Sequence, residues 1–307
     1  MKVQLSTRQL GTLFALVAAF LFSSKAILIK QAYAISPDID GTLLVALRMA
    51  SALPFFLLIC WLNRHHNRAI ALQDWALLAV AGLLGYYFSS WLDFMSLMYI
   101  SASLERIILF LYPTLTVLAT SAIYKQPLSF RTWIAILLSY GGTVIVMLQE
   151  QSQVPHGGNF WIGVSLVTAS AVCFAAYLLM TPKLIQKFGS WNFSGLTLTV
   201  ACIGTLLHYL LATPQPLQLL SSLSLQIWGY GVALGIAVTV IPTILIAQSI
   251  ARLGPAQTAM IGSLGPILTI IFATILLNES LNSMQWFGCI LNMTGVMMIT
   301  LAKKKLA

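Results

Sequence analysis

Ten apolar runs, each near the length that crosses a bilayer, leave little of this chain for anything else. They cover approximately residues 10–29, 41–62, 75–99, 102–124, 132–148, 160–181, 193–211, 228–249, 255–277 and 284–301. A helix rises about 1.5 Å per residue, so about 20 apolar residues span the hydrocarbon layer. The connections are short and rich in breakers, as at Ser36-Pro37-Asp38, Pro155-His156-Gly157-Gly158 and Thr213-Pro214-Gln215-Pro216. None is long enough for a soluble domain. Only 7% of the 307 residues are charged, against about 25% in a soluble domain. The expectation is an all-α integral membrane protein with ten transmembrane helices. Lys2 and Arg8 ahead of the first run resemble a signal peptide, but equally apolar runs follow, so a first transmembrane helix is expected. Cys60, Cys173, Cys202 and Cys289 lie scattered in apolar runs without ligand spacing, as buried thiols would.

The charges sort by side. With the N-terminus inside, the inner loops and ends carry Lys2, Arg8, Arg64, Arg68, Lys125, Arg131, Lys183, Lys187, Arg252, Lys303, Lys304 and Lys305. The outer loops carry Asp38, Asp40, Glu150 and Glu279. Positive charge marks the cytoplasmic side, so both termini are expected there. The net charge of +9 therefore implies no nucleic-acid partner.

The chain also repeats itself. At an offset of 153 positions Ser96 aligns with Ser249, Pro113 with Pro266, Trp133 with Trp286 and Gly142 with Gly295. Leu111, Leu115, Thr116, Leu128 and Leu138 align with Leu264, Leu268, Thr269, Leu281 and Leu291 without a gap. Five spans per half is odd, so the second copy enters the membrane from the opposite side. Two inverted-topology repeats, 9–149 and 160–302, are expected. That architecture is frequent in secondary transporters, with the solute held near the midplane.

Several motifs resemble an EamA-type member of the drug/metabolite transporter superfamily, over nearly the whole chain. They are Ser101-Ala-Ser-Leu through Leu111-Tyr112-Pro113, and Gly254-Pro255-Ala256 through Gly265-Pro266 with Asn278-Glu279-Ser280-Leu281. Phe22-Ser23-Ser24-Lys25 through Lys30 is similar to the first-helix signature, and Ala46-Leu47-Arg48 to the second-helix arginine. The resemblance implies ten helices in two inverted halves around a cavity lined mainly by spans 1, 3, 4, 6, 8 and 9. The chain departs from the pattern at Lys125-Gln126-Pro127-Leu128, where an acid is missing, and at Phe22 and Lys25. Members carry amino acids, nucleosides, sugar phosphates, nucleotide sugars or drugs, so fold and activity class transfer and substrate does not.

Charges within spans cost about 2.5–3.5 kcal/mol each and need a partner or a wet cavity. Six occur, all in the first half: Lys25, Lys30, Arg48, Asp93, Glu105 and Arg106. Lys30 suits an interfacial anchor. Glu105 opens its helix with Arg106, as a cap or a cavity group. Lys25, Arg48 and Asp93 share a similar depth, which admits two readings. One is a structural Arg48–Asp93 pair; the other makes Lys25 a substrate-contacting cation with Asp93 as partner or titratable coupling group. Tyr86, Tyr87, Tyr112, Tyr177, Thr239 and Ser263 would complete an aromatic, hydroxyl-bearing pocket. Pro113 and Pro266, mid-span, read as matched kinks serving as hinges.

The expected activity is secondary transport, as an exporter or exchanger, of a small zwitterionic or anionic metabolite such as an amino acid. A drug or cation extruder is the alternative within the superfamily. A passive channel lacks a ring of like charges or a filter-like loop. A membrane enzyme has thin support: His65 and His66 suit a solvated cytoplasmic loop, His156 and His208 lie near outer ends without partner carboxylates, and Gly262-Ser263-Leu264-Gly265 only superficially resembles a protease motif. No enzyme activity, cofactor or metal is expected. The partners are the solute and membrane lipid. One chain supplies both halves, so a monomer suffices. The short loops suit a bacterial inner membrane; Lys304 and Lys305 also fit an endoplasmic-reticulum retrieval pattern, which positive-inside charge explains more simply.

Overall fold

The computed structural model describes residues 6–36, 38–63, 71–152 and 159–302. Lys2, Pro37, Arg64, His65, His66, Arg68, Pro155, His156 and Lys303 to Lys305 lie outside them. Every regular element among the described residues is helical. Nine of these helices are long and apolar enough to cross a membrane: α1 Thr7–Tyr33, α2 Gly41–Leu62, α3 Leu72–Ser96, α4 Ala102–Tyr124, α5 Phe130–Gln151, α6 Phe160–Phe188, α7 Ser190–Ala212, α8 Leu225–Leu253 and α9 Gln257–Leu276. A tenth helix, α10 Ser283–Ala302, has 20 residues but carries Gln285 and Asn292, both buried. The breaker stretch after Thr213 also forms a short helix, Pro216–Ser222, pinned by a hydrogen bond from the Tyr209 hydroxyl to the Pro216 carbonyl.

The helix starts follow from side-chain chemistry. Ser6, Asp40, Ser101, Ser129 and Ser224 each accept a backbone N–H from the first turn behind them, satisfying a donor the helix leaves unpaired. Gly189 and Gly254 have φ of 74° and 81°, a region open to residues without a Cβ, and let the chain reverse between consecutive helices.

Five spans are interrupted inside. α1 breaks at Ser24. α3 and α8 carry π-helical stretches, Leu83–Phe88 and Ala233–Val240. α4 turns at Phe110 and Leu111, and so, within the chain segment of α9, do Ser263 and Leu264. Pro113 and Pro266 therefore do not kink continuous helices, as their mid-span positions imply. Each sits in the first turn of a fresh segment, Tyr112–Tyr124 or Gly265–Leu276, where the missing N–H would be unpaired anyway. The turn before each proline supplies the bend.

Apart from the Ser24 break, which has no counterpart in the continuous α6, these interruptions repeat near the sequence offset of 153. The turn at Phe110 matches the turn at Ser263, and Lys125 (φ 52°) matches Asn278 (φ 55°), both left-handed. The helices also pair across the halves: α5 with α10 most extensively, α2 with α7, α1 with α8, α3 with α6 and α4 with α9. Two contacts join residues to their own repeat mates. Asn292 Nδ2 donates to the Ser139 carbonyl at 3.2 Å, and Cys202 Sγ lies 3.7 Å from Met49 Sδ. Cys202 and Cys289 are buried and Cys60 and Cys173 half-buried, all four as free thiols.

Candidate functional site

The break in α1 builds the site. Ser24 ends the first segment and Lys25 opens the second, so the helix axis is interrupted where the charge stands. Lys25 Nζ meets Asp93 Oδ2 of α3 at 2.5 Å and Glu105 Oε1 of α4 at 3.4 Å. The side chains are 11%, 3% and 0% exposed, so the triad is nearly dry. Arg106, next on α4, donates from Nη2 to the Phe22 carbonyl at 3.2 Å. That carbonyl lies at the C-terminal end of the first segment, where a cation is favoured by the helix dipole. Ser23 ties the same break to the second half: its hydroxyl donates to the Gly265 carbonyl at 2.9 Å, and its carbonyl accepts from Thr269 at 3.2 Å.

Three atoms of this cluster are buried without a hydrogen-bond partner: Asp93 Oδ1, Glu105 Oε2 and Arg106 Nε. A buried polar atom without a partner is costly, and such atoms concentrate where a function holds them.

Arg48 is separate. The Arg48–Asp93 pair admitted by the shared depth is absent among the described residues, because the Ser24 break delivers Lys25 to Asp93 instead. Arg48 Nε donates to Thr239 Oγ1 at 2.7 Å, Nη1 donates to Ser90 at 3.1 Å, and the guanidinium lies 5.4 Å from the Phe94 ring centre. Thr239 belongs to the π-helical stretch of α8 and donates its hydroxyl hydrogen bond to the Leu234 carbonyl of the same stretch. Glu105 likewise does not cap its helix. The cap is Ser101, and Glu105 turns inward to Lys25.

The aromatic residues divide into two groups. Tyr86 and Tyr177 meet edge to face with centroids 5.1 Å apart and hydroxyls 3.3 Å apart. Phe174 links Tyr177 to Tyr112 (5.6 and 5.0 Å), and Phe193 stacks on Tyr177 at 6.0 Å. Gly85 makes room: a Cβ there would collide with the Tyr177 ring. Tyr87 points elsewhere, to His208 at 5.7 Å, beside Trp91. Ser263 spends its hydroxyl on the Met260 carbonyl of its own turn at 2.7 Å. Of the eight residues expected to meet a solute, Lys25 and Asp93 thus join one charged cluster, Tyr86, Tyr112 and Tyr177 one aromatic cluster, and Thr239 holds Arg48, while Tyr87 and Ser263 stand apart.

Contacts between the halves close both ends of the bundle. Where α4 begins, the Glu279 carboxylate accepts from the Ala102 N–H (2.8 Å) and from the Ser103 N–H (3.1 Å) and hydroxyl (2.8 Å). Within the first half, Glu150 takes the Ser101 N–H (2.8 Å) and hydroxyl (2.6 Å) at the same helix start. At the opposite end Lys187 of α6 grips Asp74 of α3 through both oxygens at 2.6 Å. Reading loop acids only as orientation signals misses Glu150 and Glu279. The serine pair Ser101 and Ser103 opening α4 is the sequence signal that invites them. Glu279→Ala is expected to cost about 1.5–3 kcal/mol, since charge-assisted hydrogen bonds are lost. Glu279→Gln should cost less; thermal unfolding of the purified protein reads both.

An α-helical bundle with nine membrane-length helices among the described residues and an ionic cluster buried in its first half defines a multi-pass membrane protein. The EamA-like transporter family model matches residues 9–148 and again 161–301. The chain belongs to that family and is a membrane transporter of the drug/metabolite transporter superfamily; its activity class is transport, not catalysis. It is 28% identical over 281 residues to the uncharacterized transporter YcbK of Bacillus subtilis (strain 168), covering 91% of this chain and 89% of that one. It is 23% identical to the uncharacterized transporter sll1319 of Synechocystis sp. (strain ATCC 27184 / PCC 6803 / Kazusa), covering 94% and 92%. A protein of known crystal structure superposes with a TM-score of 0.61 at 20% identity, covering 96% and 98%, a likeness of fold.

Proposed function

We propose that this protein is a secondary active transporter, exporting or exchanging a small zwitterionic metabolite such as an amino acid by alternating access. Its two five-helix halves, 9–149 and 160–302, act as inverted repeats, with α10 as the tenth crossing and both termini cytoplasmic. The matched interruptions and the contacts of Met49 with Cys202 and Ser139 with Asn292 support this reading. A residue that touches its own repeat mate lies beside a two-fold axis relating the halves. The bacterial relatives support a bacterial cytoplasmic membrane, where one chain suffices.

The carrying observation is the dry cluster of both charge signs at the α1 break, facing helices of both halves. Lys25 already holds two carboxylates, so a simple anion would have to displace them. A zwitterion offers an ammonium to Asp93 and Glu105 and a carboxylate to Lys25 and Arg106 in one exchange. Tyr86, Tyr112, Tyr177 and Thr239 line the path between the half-helices, and the turns before Pro113 and Pro266 serve as hinges. The carboxylate pair beside an aromatic cluster also suits a lipophilic cation, the second reading.

Reconstituted proteoliposomes separate the two. Neutral amino acids are expected to exchange across the membrane and quaternary ammonium dyes are not; the reverse result overturns the zwitterion assignment. Lys25→Gln should lower exchange at least about tenfold, because truncating a buried charge pair costs about 2–5 kcal/mol and about 1.4 kcal/mol is tenfold. Retained exchange would make Lys25 structural.

A further inference from the structure

Asp93 and Glu105 meet the same ammonium, each with one oxygen: Oδ2 at 2.5 Å and Oε1 at 3.4 Å. Their other oxygens, Asp93 Oδ1 and Glu105 Oε2, are buried and receive no donor. Because both carboxyls contact one nitrogen, they stand side by side in the same dry cluster. Two ionised carboxylates present acceptors only, so neither orphan oxygen can satisfy the other. One added proton changes that, because it converts one carboxylate into a donor toward the other.

The surrounding charges leave this as the arrangement that satisfies both. On α1, Lys25 is already shared between the two acids, and the Tyr33 hydroxyl donates to the Phe94 carbonyl. On α4, Arg106 turns to the Phe22 carbonyl and forms no ion pair within 4.0 Å among the described residues. On α2, Arg48 is committed to Thr239 and Ser90. On α5, Glu150 is engaged by Ser101. α9 carries no charged residue, and α6 none before Lys183. A single counter-ion touches two acids, and two like charges that share one site cannot both ionise without a large penalty.

We propose that Asp93 and Glu105 form a proton-binding site that holds one shared proton on the Glu105 side while Lys25 bridges them. The cluster then carries one carboxylate, one carboxylic acid and two cations. The proton is released when a competing ammonium reaches the pair or when the α1 break moves Lys25 away. The proton's presence is a property of the resting protein; its use to drive exchange rests on the function proposed above.

The test needs no solute. Infrared spectra of the reconstituted wild type at neutral pH are expected to show the C=O band of a protonated carboxylic acid, shifting in D2O. The chain has seven acidic residues, three of them glutamates, so assignment is tractable. Selective 13C-carboxyl labelling of glutamate should move the band in the unaltered protein. Glu105→Gln should remove it, with the amide N–H2 still able to donate to Asp93. Asp93→Asn should remove it as well, because Glu105 then ionises as the partner of Lys25. Glu150→Gln and Glu279→Gln should leave it. A wild-type spectrum without the band, or a band indifferent to glutamate labelling or to Glu105→Gln, overturns the proposal. The labelling arm holds even where a variant fails to fold. A band present in protein that exchanges no amino acid would sink the transport reading and leave the proton site standing; exchange without the band would do the opposite.

Discussion

Lys25→Met is expected to melt far below the wild type, by the equivalent of about 3–5 kcal/mol. Removing one partner of a buried ionic group leaves the other uncompensated, and that loss exceeds what the intact pair contributes. Here the residue removed faces two acids that are 3% and 0% exposed, so neither reaches water without opening the bundle. The second cation, Arg106, is turned to the Phe22 carbonyl. A compensating change separates structure from function. Lys25→Met combined with Asp93→Asn replaces the charge pair by neutral groups of similar volume, which is often neutral or stabilising. The double variant should regain most of the lost stability and none of the solute exchange. Thermal unfolding in detergent and exchange in proteoliposomes read the two effects. A single Lys25→Met variant that melts with the wild type would remove the ionic cluster from the list of things that hold the bundle together.

Gly288→Leu is expected to be the most damaging single change outside the charged cluster. α5 and α10 approach along Gly142, Gly288 and Gly295, close enough that a Cβ at Gly288 would stand 2.7 Å from the Gly142 carbonyl and 2.8 Å from Val146. The obstacle is backbone, which cannot rotate aside as a side chain does. Overpacking commonly costs about 1–3 kcal/mol and more where nothing yields. Small residues let membrane helices associate closely because lipid tails leave no hydrophobic drive between them. The effect should spread to the Asn292 bonds with Ser139 and Thr143, which depend on the same approach. Gly141, one residue from Gly142, has nothing within 4 Å of its Cβ position. Gly141→Ala should therefore be neutral or stabilise by up to about 1 kcal/mol through helix propensity. Equal damage from both would show that any side chain on α5 is harmful, and close packing would no longer explain the glycines.

The membrane class was legible because apolar length is a local property. Nine of the ten runs are membrane-length helices within a few residues of where hydropathy placed them. The tenth run is also a helix, α10, of 20 residues, and its buried Asn292 bonds Ser139 and Thr143 of α5. The family was legible because its motifs are short and in order. The charged site was legible only as a set of residues at one depth. Depth placed Lys25, Arg48 and Asp93 together, and both pairings of Asp93 satisfied it. The choice depended on where α1 breaks, and Ser24 is an ordinary helical position by composition. Glu105 by its offset alone admits a cap or a cavity group, and the acids serving that helix start come from Glu150 and Glu279, distant in sequence. Tyr87 parts from the other tyrosines for a geometric reason. Tyr86 and Tyr87 are adjacent in the π-helical stretch and face different directions, Tyr86 toward Tyr177 and Tyr87 toward His208.

The Glu279 clamp carries a thermodynamic consequence. In the alternating scheme proposed above, a perfectly self-similar chain would have two end states of equal free energy and would spend half its time in each. Gln126 stands where the repeat would put the counterpart of Glu279, and it is an exposed residue whose backbone bonds Ser121. The conformer closed at the start of α4 thus gains bonds that its mirror image lacks. A difference of about 1.5–3 kcal/mol for charge-assisted bonds corresponds to a bias of roughly 10- to 100-fold in occupancy, at about 1.4 kcal/mol per decade. In that scheme the Glu279 bonds favour the conformer closed at the start of α4, and the Lys187–Asp74 pair at the opposite end sets the weight on the other side.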